Sequence, residues 1–210
     1  MIEIKSHNIK SHCEVTVPGS KSYTHRMLIA AALSDGECRI RNPLLSEDTL
    51  LTLQALRQMG IRIDDTAKDQ IIVAGSSGRL KPCAVRIFLV AALGQGTFTL
   101  TGTDRMAERP IQDLIVALEQ LGIRIRSKNR NGCPPVEVTG KTMNGGPVNI
   151  NCRTSSQYLS ALLLIAPYTN RGLDILVTEG PVSKPYVDMT VNVMDQFGVI
   201  VTREGYDRFR

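Results

Sequence analysis

The stretch Ala55-Leu56-Arg57-Gln58-Met59-Gly60-Ile61-Arg62-Ile63 returns as Ala117-Leu118-Glu119-Gln120-Leu121-Gly122-Ile123-Arg124-Ile125. Upstream of each copy a second echo is found, Ala31-Ala32-Leu33-Ser34-Asp35-Gly36 against Ala91-Ala92-Leu93-Gly94-Gln95-Gly96. A third, weaker copy runs through Ala166-Pro167-Tyr168-Thr169-Asn170-Arg171-Gly172 and ends at Val193-Met194-Asp195-Gln196-Phe197-Gly198-Val199. Self-similarity of this kind defines architecture before any single residue is interpreted. Each unit reads as an apolar helix, a turn at Gly36, Gly96 or Gly172, a β-rich strand, and an amphipathic helix that a glycine stops before another strand. The first helices, Met27 to Leu33, Ile87 to Leu93 and Tyr158 to Ala166, are apolar on nearly every face and are expected to be buried. The second helices are expected to start near Ser46-Glu47-Asp48, Glu108-Arg109-Pro110 and Ser183-Lys184-Pro185, where Ser caps and Pro suits the first turn.

The spacing of the copies is uneven. Gly36 to Gly96 is 60 residues, whereas Gly96 to Gly172 is 76. The second unit is therefore about 16 residues short of the third, and the shortage falls ahead of its first helix. There Lys81-Pro82-Cys83-Ala84 runs into Val85-Arg86-Ile87-Phe88 without a loop or a cap, which places the missing residues between Ala84 and Arg86.

A chain of 210 residues with 42% hydrophobic content can bury a sizeable core. Cys13, Cys38, Cys83, Cys133 and Cys152 are odd in number and scattered, which points to neither a disulfide framework nor a zinc site. Met1 leads into Ile2-Glu3-Ile4-Lys5 rather than a signal peptide, and no apolar run reaches the roughly 18 residues of a membrane span, so a cytoplasmic location is expected. The net charge of +5 comes from 25 basic and 20 acidic residues spread along the length, with no basic block. With four Phe, five Tyr and no Trp there are few stacking platforms. Both features favour a local anion site over a nucleic-acid surface.

That anion site is sought at the helix starts. Pro18-Gly19-Ser20-Lys21-Ser22-Tyr23-Thr24-His25-Arg26 combines a flexible turn, hydroxyls and two cations where free amides and the helix dipole favour negative charge. Lys21 and Arg26 are five apart and need not share a face, so ordinary solvated charges remain the plain alternative. His25 reads as a packed or surface histidine. The equivalent position in the third unit is Thr154-Ser155-Ser156-Gln157, where capping is again the plain alternative. If repeat symmetry turns these starts to one face, their donors converge on one polyanion, and Arg109 and Ser183 could close the pocket from the side.

Pro18-Gly19-Ser20-Lys21-Ser22 with Arg26, then Glu108-Arg109-Pro110, Ser155-Ser156-Gln157 and Val182-Ser183-Lys184-Pro185-Tyr186 resemble, in order and approximate spacing, the motifs of the 5-enolpyruvylshikimate-3-phosphate synthase family. The resemblance covers essentially the whole chain but about half of the family's length. It implies an α/β (α+β) fold in which one domain is built of three βαβαββ repeats, helices inside and sheets outside. It also implies transfer of the enolpyruvyl group of phosphoenolpyruvate to the 5-hydroxyl of shikimate 3-phosphate, without metal or organic cofactor. By motif, Lys21, Ser22 and Arg26 resemble the residues that hold shikimate 3-phosphate, and Ser155, Ser156 and Ser183 its phosphate ligands. Tyr186 resembles a residue lining the sugar site. Lys21, which carries the catalytic role assigned to this chain, Arg109 and Gln157 resemble contacts to phosphoenolpyruvate, Gln157 touching both substrates. The acid and base carboxylates of the family lie in its other domain, so this chain is expected to need the second half of the enzyme as its partner.

Two departures from the family are visible. Its Gly-Asn-x-Gly-Thr loop, which meets phosphoenolpyruvate, is missing where the spacing is short. Residues 1 to 17 are expected to belong to the other domain, leaving 18 to 210 as the shikimate-3-phosphate-binding domain. Two other readings remain open: a stand-alone phosphosugar-binding module, and the related UDP-N-acetylglucosamine enolpyruvyl transferase. The latter would carry Asn after the first Lys and a reactive Cys in a loop, whereas here Ser22 follows Lys21 and Cys83 lacks that loop.

Overall fold

The computed structural model of the chain describes residues 17–67, 69–81, 84–85, 92–94, 96–101 and 107–210. The strand region expected over residues 1 to 17 and the helix expected over Ile87 to Leu93 fall almost wholly outside them. Two helices are buried along most of their length, α1 (Lys21–Leu33) and α4 (Gln157–Ile165). Leu28, Ala31, Ala32 and Leu33 of α1 and Leu159 and Leu162 of α4 are fully enclosed. Burial of each such Leu removes enough apolar surface to contribute about 1.5–3 kcal/mol, which is why these all-apolar runs occupy the interior. The second helices, α2 (Glu47–Gln58), α3 (Gln112–Gln120) and α5 (Lys184–Gln196), each bury a single stripe.

The strands form three sheets among the described residues. The first has β1 (Glu37–Arg41), β2 (Arg62–Asp64) and β3 (Gln70–Ala74) in the order β1-β3-β2. In the second, β4 (Ala84–Val85), β5 (Gly96–Leu100), β6 (Arg124–Ser127) and β7 (Val136–Gly140) run in the order β4-β5-β7-β6. The third sheet orders β8 (Gly146–Asn151), β9 (Leu173–Glu179), β10 (Arg203–Glu204) and β11 (Arg208–Phe209) as β10-β11-β9-β8. In both four-stranded sheets the two strands earliest in the chain, β4-β5 and β8-β9, pair parallel and the remaining pairs are antiparallel. The second and third units thus share the βαβαββ strand order, and β1-β3-β2 matches its last three strands. Burial alternates along β3, β7 and β9, with Ile71, Val73, Val136, Val138, Ile175 and Val177 turned inward. One face of each sheet therefore covers the helices while the other meets solvent.

The glycine stops are three copies of one device. Gly60, Gly122 and Gly198 have φ of 90°, 77° and 76°, and each follows the C-cap residue of a second helix, Met59, Leu121 or Phe197. The next amide reaches back over the helix end, Ile61 to Leu56 O at 3.1 Å, Ile123 to Leu118 O at 3.0 Å and Val199 to Met194 O at 2.9 Å. The glycine amides themselves bond Arg57 O, Glu119 O and Asp195 O. This 6→1 and 5→2 pairing satisfies carbonyls that would otherwise be orphaned and aims the chain into the following strand.

Two expectations are corrected. The second helix of unit two starts at Gln112, not at Arg109-Pro110, because the Leu114 amide turns to Ile111 O at 3.1 Å while Pro110 O accepts from Tyr158 Oη at 2.7 Å. A side chain of the third unit thus takes the carbonyl that an earlier helix start would use. At the other position, Ala84 and Val85 lie in one strand, paired with Thr99 and Leu100, so the missing residues do not interrupt that pair. The unit is nonetheless short. Ten residues separate Val85 from Gly96, against 21 between Asn151 and Leu173. Ten is at the lower limit for a crossover between parallel strands.

Gly19 fixes where α1 begins. A Cβ there would lie 2.2 Å from Asn42 O and 2.9 Å from Leu44 N. The backbone before α1 therefore rests directly on the turn that leads into α2. Thr24 Oγ1 strengthens the junction by accepting from the Leu44 amide at 2.9 Å. Gly19→Ala should cost about 1–3 kcal/mol by overpacking against backbone. A thermal melt is expected to show a midpoint lowered by about 2–4 °C for each kcal/mol; an unchanged midpoint would contradict the close approach.

Cys152, which ends the buried edge of β8, is enclosed, and burial pushes its thiol from an ordinary value of 9.0 up to about 12. A raised value means that its contribution to stability is complete below pH 9.0 and is lost as pH rises toward 12. Stability should fall by up to about 1.4 kcal/mol per pH unit across that window. Urea melts of the wild type and Cys152→Ala from pH 8 to 11 check this: the wild type should lose stability over the upper range by more than the variant.

Candidate functional site

The site is built from the N-terminal ends of α1, α4 and α5. At α1, Ser20 is the N-cap and its Oγ accepts from the Tyr23 amide at 3.4 Å. Lys21 and Ser22 occupy the first turn and are not buried. The Lys21 ammonium is paired with Asp48 in the first turn of α2. That contact holds the Asp48 carboxyl below its usual range, by hydrogen bond first and charge second. Both side chains are more than half exposed, at 52% and 56%, so the pair is screened and Lys21 can turn to an incoming anion. His25 bonds Thr52 Oγ1 through Nδ1 at 2.9 Å, and burial, then the Lys21 charge, lowers its pKa. It is a half-buried histidine packed against α2, one of the two readings that the sequence left open.

Arg26 is the junction. Its Nε donates to Thr190 Oγ1 at 2.7 Å on α5 and its Nη1 to Ser22 O at 3.0 Å. Nη2 donates to Ser160 Oγ at 3.3 Å on α4 and to Tyr186 O at 3.1 Å on α5. The guanidinium carbon also lies 5.8 Å from the centroid of the Tyr186 ring. One residue thus ties α1 to both helices of the third unit. No carboxylate pairs with Arg26 among the described residues, and burial lowers its pKa. The group remains charged, since a guanidinium is not deprotonated in a protein. A half-buried cation whose partners are all neutral carries an electrostatic cost that an anion would relieve.

The third-unit hydroxyls differ from one another. Ser155 Oγ accepts from the Gln157 amide at 3.2 Å, so it caps α4. Ser156 is buried at 4% exposure but its side chain makes no capping bond. Ser183 precedes α5 with φ 54° and ψ 49°, a left-handed conformation that a serine adopts at a cost, and its side chain does not cap either. The capping alternative therefore explains Ser155 but not Ser156 or Ser183. Tyr186, in the first turn of α5, is 43% exposed. Gln157 is exposed at the start of α4.

Unit two meets the site through one turn. Tyr158 Oη donates to Pro110 O at 2.7 Å, and Thr154 Oγ1 donates to Asp113 at 3.4 Å. These bonds fix the exposed Arg109-Pro110 turn beside the start of α4. The start of α5 is held from the other side by the C-terminal hairpin. Arg203 Nη1 and Tyr206 Oη both donate to Asp188, at 2.5 and 2.7 Å, and Lys184 lies 4.8 Å over the Tyr206 ring.

The structure therefore links Ser22, Arg26, Ser160 and Tyr186 directly, pairs Lys21 with Asp48 apart from them, and sets Ser155, Ser156, Gln157 and Arg109 around the α4 start. Asp48, Ser160 and Thr190 were not singled out from the sequence. A lone Ser within Tyr158-Leu159-Ser160-Ala161-Leu162 was the available signal, since a polar residue in an all-apolar helix needs a buried partner. No cluster of three or more His, Cys, Asp or Glu able to hold a metal ion occurs among the described residues. Nor is any described helix long and apolar enough to cross a membrane.

A model of the EPSP synthase (3-phosphoshikimate 1-carboxyvinyltransferase) family matches residues 7–210. A 3-phosphoshikimate 1-carboxyvinyltransferase from Shewanella loihica is 40% identical over 214 positions, covering 95% of this chain and 50% of that protein. One from Methanothermobacter thermautotrophicus is 42% identical, covering 94% and 48%. In the Shewanella alignment 95% of 210 residues is about 200, so about 14 of the 214 positions have no counterpart here, close to the shortage read from the repeats. Among solved structures, EPSP synthase from Acinetobacter baumannii superposes with a TM-score of 0.80 at 26% identity, covering 93% of this chain and 46% of that one. The enolpyruvyl transferase NikO from Streptomyces tendae, at 20% identity and a TM-score of 0.68, shares the fold. The chain spans about half the length of the curated relatives it matches, and it belongs to the EPSP synthase family.

Proposed function

We propose that this chain supplies the shikimate-3-phosphate-binding half of an enolpyruvyl transferase and works with the second half of the same enzyme. The observation that carries this reading is Arg26, a half-buried cation with no carboxylate partner among the described residues, set where three helix starts of two repeats meet. A phosphate placed there would relieve the unmatched charge and meet the free amides of buried helices. Ser155, Ser156 and Ser183 supply hydroxyls, Ser22 and Tyr186 line the sugar, and Lys21 leaves Asp48 to bridge the two substrates. Arg109 and Gln157 approach phosphoenolpyruvate from the unit-two side.

Catalysis in this scheme is mainly electrostatic. Two multiply charged anions repel each other until fixed cations offset their charge and bring the 5-hydroxyl to the enol carbon. Protonation of the methylene carbon and deprotonation of the hydroxyl need carboxylates that the proposal assigns to the second half. A metal or organic cofactor has no part in the scheme, and a cytoplasmic location goes with it. The names of the relatives and Ser22 after Lys21 weigh against the UDP-N-acetylglucosamine reaction.

Calorimetry tests the binding claim. Shikimate 3-phosphate should bind the wild type more tightly than shikimate does. The Ser155→Ala/Ser156→Ala double variant should lose about tenfold or more, since a hydrogen bond to a charged group contributes about 1.5–3 kcal/mol. Equal affinity for shikimate and its phosphate would show that these residues only serve the helices.

A second assay separates binding from turnover. The isolated chain with phosphoenolpyruvate and shikimate 3-phosphate should release no phosphate above background. Turnover at ordinary enzyme rates would place the acid and base within these 210 residues.

A further inference from the structure

Behind the Arg26 guanidinium lies a closed polar cluster in an otherwise apolar interface. Thr190 is 0% exposed and Ser160 4% exposed, so water does not reach either hydroxyl to replace a lost partner. Thr190 Oγ1 receives the Arg26 Nε hydrogen at 2.7 Å and stands 2.8 Å from Ser160 Oγ and 2.9 Å from Tyr186 O. A threonine hydroxyl has a single hydrogen. One arrangement satisfies every group: Thr190 donates to Tyr186 O, one turn earlier on α5, and Ser160 donates to Thr190. Ser160 Oγ and Tyr186 O then each accept from Nη2 of Arg26, at 3.3 and 3.1 Å. The Nε hydrogen, both Nη2 hydrogens and one of the two on Nη1 are thereby committed, and the second Nη1 hydrogen is left.

A guanidinium is planar with its donors in a rigid fork, so fixing Nε and Nη2 fixes the direction of that last donor. The same bonds tie the Tyr186 carbonyl, three residues from Ser183, to α1. We propose that Thr190 and Ser160 are positioning residues: their hydroxyls aim the Arg26 cation at the anionic substrate and hold the Ser183 turn in register with α1. Neither touches the ligand. This rests on the binding role assigned to Arg26 above.

The test uses the full chain with Thr190→Val, which keeps the shape and removes the hydroxyl, Thr190→Ser, which keeps the hydroxyl, and Ser160→Ala. Two readouts are combined. The first is the Arg26 Nε–H signal in NMR without ligand. It should be protected from exchange in the wild type and Thr190→Ser, and lost to exchange in Thr190→Val. The second is calorimetric affinity for shikimate 3-phosphate, with the thermal midpoint measured alongside. Thr190→Val should weaken binding about tenfold or more, because a buried charged donor is left unpaired. Thr190→Ser should restore affinity to within about threefold, well inside the spread of such effects.

In an Arg26→Lys background, Thr190→Val should add little further loss, because both changes remove the same aimed donor. A protected Nε–H in Thr190→Val, wild-type affinity in that variant, or fully additive losses would each overturn the inference. If Thr190→Val does not fold, Ser160→Ala decides: it should leave the Nε–H protected by Thr190 and weaken binding, and wild-type affinity in it would overturn the inference. Failure of the wild type to bind shikimate 3-phosphate would instead sink the binding reading, and the Nε–H signal would still report on the hydroxyl pair.

Discussion

A helix buried on every face has only its ends through which to satisfy the backbone. α1 from Leu28 onward and α4 from Leu159 onward are buried in this way. The first amides of each have no intrahelical acceptor and must find a side chain, water or a ligand. The rest of the design follows from that requirement. At the C-terminal ends of the second helices, glycine turns close the carbonyls internally, in the same geometry three times. At the N-terminal ends the closure is incomplete: Ser155 caps, while Ser156 and Ser183 do not. The proposed anion site lies at the ends left open in this way.

Charge enters where the amides are left over. Lys21 is exposed and exchangeable, held by a screened pair with Asp48. Arg26 is half-buried and fixed, with neutral partners only among the described residues. One cation can follow a substrate and the other sets a permanent field. That division suits a site that must admit two anions and then hold them close. The neutral hydroxyls around Arg26 orient it without cancelling its charge, which a carboxylate in the same place would do.

Much of this was legible in the residues. The repeated Gly60, Gly122 and Gly198, the all-apolar helices, and the short second unit follow from local pattern and spacing, because helix burial and helix stops are local physics. The motif residues at the helix starts were legible through the family resemblance. Other features depend on tertiary partners and left no local trace. Arg26 meets Thr190 and Ser160 across 164 and 134 residues of sequence. The Asp48 partner of Lys21 lies 27 residues away. The start of α3 was misplaced for the same reason, since the Pro110 carbonyl that an earlier start would need accepts from Tyr158, 48 residues away. Strand order is likewise a tertiary property that alternation alone does not give.

The central claim is that helix starts from separate repeats serve one anion together. Amide hydrogen exchange with and without shikimate 3-phosphate tests it most directly. The account predicts added protection appearing together in residues 21–26, 155–158 and 183–187, with the outer strands β3 and β7 unchanged. Protection confined to one of those segments, or spread evenly over the sheets, would contradict it.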